Sequence, residues 1–265
     1  MAVLVRERFE GGWLNDWSGK SWNAYGTASR SEGEQGLRIL FRKGSHYGVD
    51  LRQQVLPTRR VRMSYQLRFA SNWVSNSTGK LPGFADLRYT NTNGKVVGHG
   101  NRKPAPDGFS MRTWFGKTVN GFVPVGLYVY HAGQRAPWGD SITVGEVRVG
   151  MPHVVFEVVA DLDAGTIRGR LGTGDWVSHP IRVGADTAVT TAWLNGYWGG
   201  WRKAPVNMAA DVDDYLLEDL SDPALRGPAV FDRVAVSDQL RDLADTVEVM
   251  EAALESIGVN VLAPA

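Results

Sequence analysis

Polar side chains occupy every second position of the segment GFSMRTWF at residues 108–115. A strand sends alternate side chains to opposite faces, so Ser110, Arg112 and Trp114 are predicted to project together while the apolar residues pack inward. One face then carries a hydroxyl, a guanidinium and an indole. Such a face is either a wetted surface or one wall of a site.

Two further segments carry groups that bind anions or exchange protons. The segment GLYVYH places Tyr128 and Tyr130 on one face of a strand, and Lys80 stands immediately before a Leu-Pro-Gly turn in GKLPGF. Each of these residues alone has an ordinary explanation as a solvated surface group. If the faces lie in one sheet, Lys80, Ser110, Arg112 and the two tyrosines converge in a single groove.

The composition limits the classes of protein to which the chain can belong. Its 265 residues are 43% hydrophobic, which is enough for a core, and the absence of cysteine excludes disulfides, thiolate metal sites and cysteine nucleophiles. A net charge of +1 gives no bulk attraction for nucleic acid. The 31 glycines suit short strands joined by tight turns, and the ten tryptophans suit stacking on sugars.

From Arg6 to about Leu220 the chain consists of short alternating runs separated by Asn, Asp and Gly turns. This rhythm predicts an all-β fold, a β-jelly-roll sandwich over residues 1–220. No apolar run reaches the roughly 20 residues of a membrane helix, and the start MAVLVRERFEGGW has no signal-peptide pattern. We therefore expect no membrane insertion and no export by a signal peptide.

The composition changes in a linker at residues 221–236, after which residues 237–258 are predicted to form a C-terminal α-helix, followed by a tail at residues 259–265. Its apolar residues follow a strict heptad seam: Leu240, Leu243, Val247, Met250, Leu254 and Ile257. The seam favours a coiled coil that makes a homo-oligomer, with a trimer as the expected state. Docking of the helix on the sandwich is the alternative.

The ordered set K-L-P-G, S-x-R-x-W, Y-x-Y and WLNGYWGGWRKAPVNMAADVDDY resembles the jelly-roll polysaccharide lyases of the alginate lyase type (family fourteen) and their glucuronan lyase relatives. The resemblance covers about residues 6–220. It implies that five residues line a catalytic cleft: Lys80, Ser110, Arg112, Tyr128 and Tyr130. Four more match a late structural signature of the family: Gly199, Gly200, Ala204 and Pro205.

The chemistry that this resemblance implies is β-elimination on a polyuronate. Arg112 and Lys80 would neutralise the substrate carboxylate, Tyr128 or Tyr130 beside Arg112 would act as a tyrosinate base, and Ser110 would orient its neighbours. No metal and no cofactor is required. The chain departs from the family at Asp86, where an added carboxylate opposes an anionic sugar unless an arginine such as Arg88 or Arg102 compensates it.

Six further residues are predicted to bind substrate: His46, Arg88, Trp114, Trp138, Trp198 and Trp201. A glycan-binding head followed by an oligomerising helix resembles tail-associated proteins of bacteriophages. The expected function is that of a virion-associated, lyase-like protein that engages a host surface glycan, alongside other tail proteins. Two alternatives stay open: a non-catalytic glycan-binding or structural tail protein, and a cytoplasmic polyuronate lyase.

Overall fold

Two antiparallel β-sheets form a sandwich in the part of the chain that the computed structural model describes, which comprises residues 2–9, 17, 27–30, 36–88, 108–135, 138–199 and 202–221. The strands within these residues are β1 (Ala2–Glu7), β2 (Thr27–Arg30), β3 (Leu37–Phe41), β4 (Tyr47–Thr58), β5 (Arg60–Phe69), β6 (Gly79–Asp86), β7 (Phe109–Phe115), β8 (Phe122–Tyr130), β9 (Asp140–Arg148), β10 (Val154–Asp161), β11 (Thr166–Leu171), β12 (Val177–Pro180), β13 (Val189–Trp198) and β14 (Met208–Asp219).

The first sheet has the strand order β12, β11, β10, β5, β14, β3, β2, and β1 pairs with β14. Its order mixes segments that are far apart in the chain, because β14 lies between β5 and β3. The chain crosses repeatedly from one sheet to the other between consecutive strands, as it does in a jelly roll. Charged side chains pair across its strands, as where Asp211 accepts hydrogen bonds from both Arg38 and Arg68.

The second sheet has the order β4, β13, β6, β7, β8, β9. Phe109, Met111 and Phe115 of β7 are fully buried in the core shared by the two sheets, as their alternation predicts. Burial of each such side chain is worth roughly 1.5–3 kcal/mol relative to exposure. The core therefore fixes the plane of β7 and turns its intervening residues to the other face.

The predicted all-β jelly-roll sandwich is confirmed. The chain divides into two units, Met1–Ser221 and Asp222–Ala265, and the second lies outside the described residues. The linker at 221–236 beyond Ser221, the helix at 237–258 and the tail therefore stay predictions. Among the residues that the structure describes, no helix is long and apolar enough to span a membrane.

Candidate active site

The predicted polar residues of β7 and β8 lie in adjacent positions on the sheet face that points away from the core. Arg112 pairs with Tyr128, and Ser110 pairs with Tyr130. Directly paired residues of antiparallel strands project from the same face. The four side chains therefore share one surface, which we call the groove face.

Arg112 is the charged centre of the groove face, although its side chain is only 2% exposed. Its guanidinium carbon lies 5.8 Å from the ring centres of both Tyr128 and Tyr130, and 4.7 Å from that of Trp193. One Nη donates to Oδ1 of Asn195 over 3.4 Å, and Nε has no hydrogen-bond partner among the residues that the structure describes. A buried donor without an acceptor is costly, so Arg112 is suited to receive an anionic ligand.

Lys80 of β6 joins the groove face because it pairs with Trp114 on one side and Tyr197 on the other. Its Nζ lies 4.3 Å from the ring centre of Tyr128 and 5.3 Å from that of Tyr197. Burial, and secondarily the positive charge of Arg112, lower the pKa of Lys80 well below its ordinary value. The neutral amine, which can accept a proton, is therefore favoured relative to that of an exposed lysine.

The hydroxyls of Tyr128 and Tyr130 lie 3.2 Å apart, and that of Tyr128 also donates to the backbone carbonyl of Trp138. Burial raises the pKa of Tyr128 above its ordinary value, and the neighbouring Tyr130 adds to this, while the opposing effect of Arg112 is smaller. The prediction of a tyrosinate base is therefore wrong for Tyr128. Its phenol keeps its proton, which the carbonyl of Trp138 accepts, so the Tyr130 hydroxyl is the donor between the two tyrosines.

Ser110 and Trp114 complete the groove side of β7. Ser110 is fully buried beside its partner Tyr130. The half-buried indole of Trp114 donates to the carbonyl of Ile142 at 3.1 Å and covers Gly126, where an added Cβ would lie 2.7 Å from its Nε1. Trp114 therefore forms part of the groove floor.

Strand β13 supplies three groove-face residues that the sequence-based site does not include: Trp193, Asn195 and Tyr197. Trp193 pairs with Gly83, and Tyr197 with Lys80, which turns both toward the groove. The run TAWLNGYW has the same period of two as β7. That alternation is the signal by which these residues can be found.

Strand β4 extends the groove face beyond β13. Arg52 donates to both carboxylate oxygens of Asp50, at 3.2 and 2.9 Å. Asp50 also accepts from the indole N–H of Trp193 at 2.6 Å, and the Arg52 guanidinium lies 5.2 Å from the centre of that ring. Trp193 therefore contacts two guanidinium groups, those of Arg52 and Arg112, and its indole is held in place by a carboxylate.

Partly exposed aromatic rings flank the polar groups. His46 stacks on Tyr197 with ring centres 5.9 Å apart and planes at 17°, and its Nδ1 lies 3.0 Å from a backbone carbonyl of β13. Tyr47 is 40% exposed and lies 5.7 Å from Tyr197, while Trp138, just before β9, is 52% exposed. Exposed flat rings of this kind suit stacking on sugar faces.

Trp198, which was predicted to bind substrate, is fully buried in the core. Three aromatic rings pack around it: Phe41, Trp73 and Phe115. Trp198 follows the groove-facing Tyr197, so the strand alternation turns its ring to the opposite side. The prediction for Trp198 is therefore wrong, and Trp201 lies outside the described residues.

Asp86 lies on the core side of β6 and is fully buried, because its cross-strand partner is the core residue Phe109. Arg88 donates to both of its carboxylate oxygens, at 2.9 and 2.7 Å, and the amide of Ala188 donates at 3.0 Å. Arg88, one of the two arginines expected to compensate Asp86, thus does so, and the carboxylate faces away from the groove. Arg88, predicted to bind substrate, instead holds this carboxylate, and Arg102 lies outside the described residues.

This position makes Asp86 a stability residue. The change Asp86→Asn removes the charged acceptor of Arg88 and is expected to lower the free energy of unfolding by about 1.5–3 kcal/mol. Turnover by the folded fraction is expected to stay unchanged, because the carboxylate faces away from the groove. Urea unfolding measures the first effect. A change in KM for an anionic glycan would contradict the assignment.

Gly83, the glycine of K-L-P-G, marks a close approach of β6 to β7. An added Cβ would lie 2.0 Å from the carbonyl oxygen of Met111 and 2.6 Å from the Cα of Arg112. The hydroxyl of Tyr215 donates to the Gly83 carbonyl at 2.8 Å from the core side. A side chain at this position would meet backbone atoms, so glycine is required directly opposite the charged residue of the groove.

We therefore expect Gly83→Ala to lower stability by about 1–3 kcal/mol, because the added methyl meets backbone atoms that no rotamer change can move. It is also expected to lower turnover by displacing Arg112. Thermal unfolding and turnover should fall together. A variant with the wild-type melting temperature would show that the two strands do not approach as closely as described.

The comparisons with known proteins establish the fold. No protein-family model and no curated protein matches the chain. The solved structure of the alginate lyase Aly36B has a TM-score of 0.65, covering 83% of this chain and 98% of that chain at 17% identity. A mutant of it in complex with alginate trisaccharide has a TM-score of 0.64, covering 83% and 99% at 17% identity. The alginate lyase vAL-1 from Chlorella virus has a TM-score of 0.57, covering 82% and 99% at 14% identity. The chain thus has the jelly-roll sandwich fold of these alginate lyases.

Proposed function

We propose that this protein is a polysaccharide lyase that cleaves a uronate-containing glycan by β-elimination on the groove face. The observation that carries the proposal is that two different cationic groups lie near the ring of Tyr128. One is the buried, under-satisfied guanidinium of Arg112, and the other is the amine of Lys80, whose pKa is lowered. One group suits binding a carboxylate and the other suits removing a proton. That a mutant of Aly36B was solved with an alginate trisaccharide supports a uronate polymer as the substrate class.

The first step is neutralisation of the uronate carboxylate. The proton on C5, next to that carboxylate, becomes removable only when negative charge is stabilised on the carboxylate oxygens. In the described part of the chain no group accepts a hydrogen bond from Nε of Arg112, and the side-chain amide of Asn195 lies beside the guanidinium. In a partly dry groove their combined effect is much larger than in water. The two residues are therefore assigned to hold the carboxylate.

The second step is the elimination itself. The neutral amine of Lys80 takes the C5 proton, the C5–H electron pair forms the C4–C5 double bond, and the C4–O bond breaks. The hydroxyl of Tyr130 donates its proton to the leaving glycosidic oxygen, because the proton of Tyr128 is engaged by the carbonyl of Trp138. The ammonium of Lys80 then loses its proton to solvent and the phenolate regains one from solvent, which restores both groups.

The experiment that tests this proposal follows the ultraviolet absorbance of an unsaturated uronate product with a panel of polyuronates and host envelope glycans. We expect absorbance to rise with polyuronates and not with neutral glycans. Binding without any product, unaffected by Tyr130→Phe, would instead assign the groove to a glycan-recognition protein. Neither binding nor product across the panel would contradict both functions.

We further propose that the protein acts in a phage tail, as an oligomer formed through residues 237–258, and engages the glycan of the host surface. The heptad seam of that segment supports oligomerisation, because apolar residues at a period of 3.5 are typical of helices that pack against partner helices. Light scattering of the full chain is expected to give the mass of a trimer, and removal of residues after 236 to give a monomer. A monomeric full chain would contradict the oligomer, and absence of the protein from purified virions would contradict the tail.

A further inference from the structure

We propose that His131, Asp140 and His179 form a hydrogen-bonded clasp that fixes the hydroxyl of Tyr128 through the carbonyl of Trp138 and thereby positions the neighbouring hydroxyl of Tyr130 for proton donation. None of the three belongs to the groove face, and their role in catalysis rests on the proposed lyase function. The clasp joins the end of β8, the start of β9 and β12. It would make the three residues positioning residues for the acid of the reaction.

The three side chains meet at one carboxylate oxygen. Nε2 of His131 lies 3.0 Å from Oδ2 of Asp140, and Nε2 of His179 lies 3.2 Å from the same oxygen. The other oxygen, Oδ1, accepts the backbone amide of Arg135 at 3.1 Å. Asp140 therefore ties the connection between β8 and β9 to the neighbouring strand β12.

The same three residues resemble a metal site, because their ligand atoms lie within 4.8 Å of one another. The hydrogen bond to the far side of His131 argues against that role. The backbone amide of Arg182 donates to Nδ1 of His131 at 3.0 Å, so Nδ1 must carry the lone pair. In the neutral ring the proton then sits on Nε2, the nitrogen that would have to bind the metal. The geometry therefore favours a donor to Asp140 over a metal ligand.

The clasp is connected to Tyr128 through the backbone of Trp138 and Gly139, which directly precede Asp140. Trp138 stands two residues before Asp140, and its carbonyl accepts the hydrogen bond of the Tyr128 hydroxyl. Gly139, between them, has φ of +92°, a conformation open to glycine and strained for other residues. At the other end of the connection between β8 and β9, the amide of Ala132 donates a hydrogen bond of 2.9 Å to the carbonyl of Arg182. The carbonyl that orients Tyr128 is thus fixed by the clasp.

The contact of His131 with the backbone of Arg182 depends on a neutral ring. Two titratable groups face this ring, Asp140 from β9 and His179 from β12, and the backbone of Arg182 covers Nδ1. Burial lowers the pKa of His131 below its ordinary value of 6.5. A depressed pKa means that the unfolded chain binds the proton more readily, so this contribution to stability is present above pH 6.5 and is lost as the pH falls. Protonation at Nδ1 would displace the Arg182 amide, while Nε2 would continue to donate to Asp140.

The test compares the full-length wild type with Asp140→Asn, His131→Gln and His179→Ala. Asp140→Asn weakens both histidine contacts, so kcat is expected to fall by about 10–100-fold with little change in KM, because misplacing a catalytic group costs rate rather than binding. His131→Gln keeps an amide that can donate to Asp140, so it should retain kcat. His179→Ala removes one contact, so its kcat should lie between the wild type and Asp140→Asn.

Hydrogen exchange of peptides covering residues 129–141 gives a readout that needs no turnover. We expect it to accelerate about 10-fold or more in Asp140→Asn. The matched control Asp211→Asn breaks a buried ion pair in the other sheet, so it should lower stability without changing kcat or exchange in this segment.

Unchanged exchange and kcat in Asp140→Asn would overturn the clasp. Stabilisation of the wild type by Zn²⁺, lost in His179→Ala, would overturn it in favour of a metal site. Accelerated exchange in Asp140→Asn together with an inactive wild type would refute the lyase function while supporting the clasp.

Discussion

The variant Lys80→Met is expected to lose lyase activity and to gain stability. Methionine keeps the length and the apolar contacts of the lysine stem between the rings of Tyr128 and Tyr197 but has no amine to take the C5 proton. Loss of a general base costs about 10²–10⁴-fold in kcat. Initial rates of product absorbance at saturating substrate measure this loss.

The gain in stability follows from the same lowered pKa. In the folded protein the pKa of Lys80 is well below 10.5, so between that lowered value and pH 10.5 the unfolded chain binds the proton more readily. The folded state is therefore destabilised in this window, and the destabilisation becomes smaller as the pH rises toward 10.5. Lys80→Met removes that penalty. Its melting temperature at neutral pH should exceed that of the wild type.

The exposed Lys117 offers a matched control, because Lys117→Met makes the same change outside the groove. We expect this control to change neither kcat nor the melting temperature measurably. In the wild type, kcat should rise as the pH rises through the lowered pKa of Lys80, and this limb should be absent from any residual activity of Lys80→Met. An active Lys80→Met enzyme would contradict the role of this amine as the base.

Strand alternation predicts the sandwich and one wall of the groove because both depend on local periodicity. The polar set of β7 and the tyrosine pair of β8 follow from a period of two, and their neighbourhood follows once the two strands pair. The period of two also places Asp50 and Arg52 on one face of β4, and these residues lie beside Trp193 because β4 pairs with β13. A single sequence does not reveal that pairing, because β4 and β13 lie more than a hundred residues apart in the chain.

The errors of the sequence-based site have two physical causes. Asp86 was expected near the substrate because it follows K-L-P-G, and Trp198 because it is an aromatic residue beside glycines, but alternate side chains of a strand face opposite sides and both of these face the core. The direction of proton transfer was misjudged for another reason. A phenol beside a guanidinium is expected to lose its proton easily, yet burial of Tyr128 outweighs the attraction of Arg112. Burial is a property of packing and has no direct trace in the sequence.

The variant Arg112→Lys is expected to lower kcat/KM by about 10²–10³-fold, the range found when a group that stabilises developing negative charge is removed. Arginine keeps its charge when buried and presents donors in a planar fork, whereas a lysine at this depth readily loses its proton. The variant would also leave the Trp193 ring without the guanidinium that lies 4.7 Å from its centre. A formally conservative change therefore removes both the charge and the geometry.

Arg68→Lys is the matched control, because Arg68 pairs with the buried carboxylate of Asp211 in the opposite sheet and lies outside the groove. We expect this control to lower stability slightly and to leave kcat/KM unchanged. Titration with a short oligouronate separates binding from chemistry: Arg112→Lys should weaken affinity for the oligouronate and leave any affinity for a neutral oligosaccharide intact. If Arg112→Lys binds and cleaves polyuronates as the wild type does, the carboxylate of the substrate is held by another cation. Arg52, which pairs with Asp50 on the same face, would then be the next residue to replace.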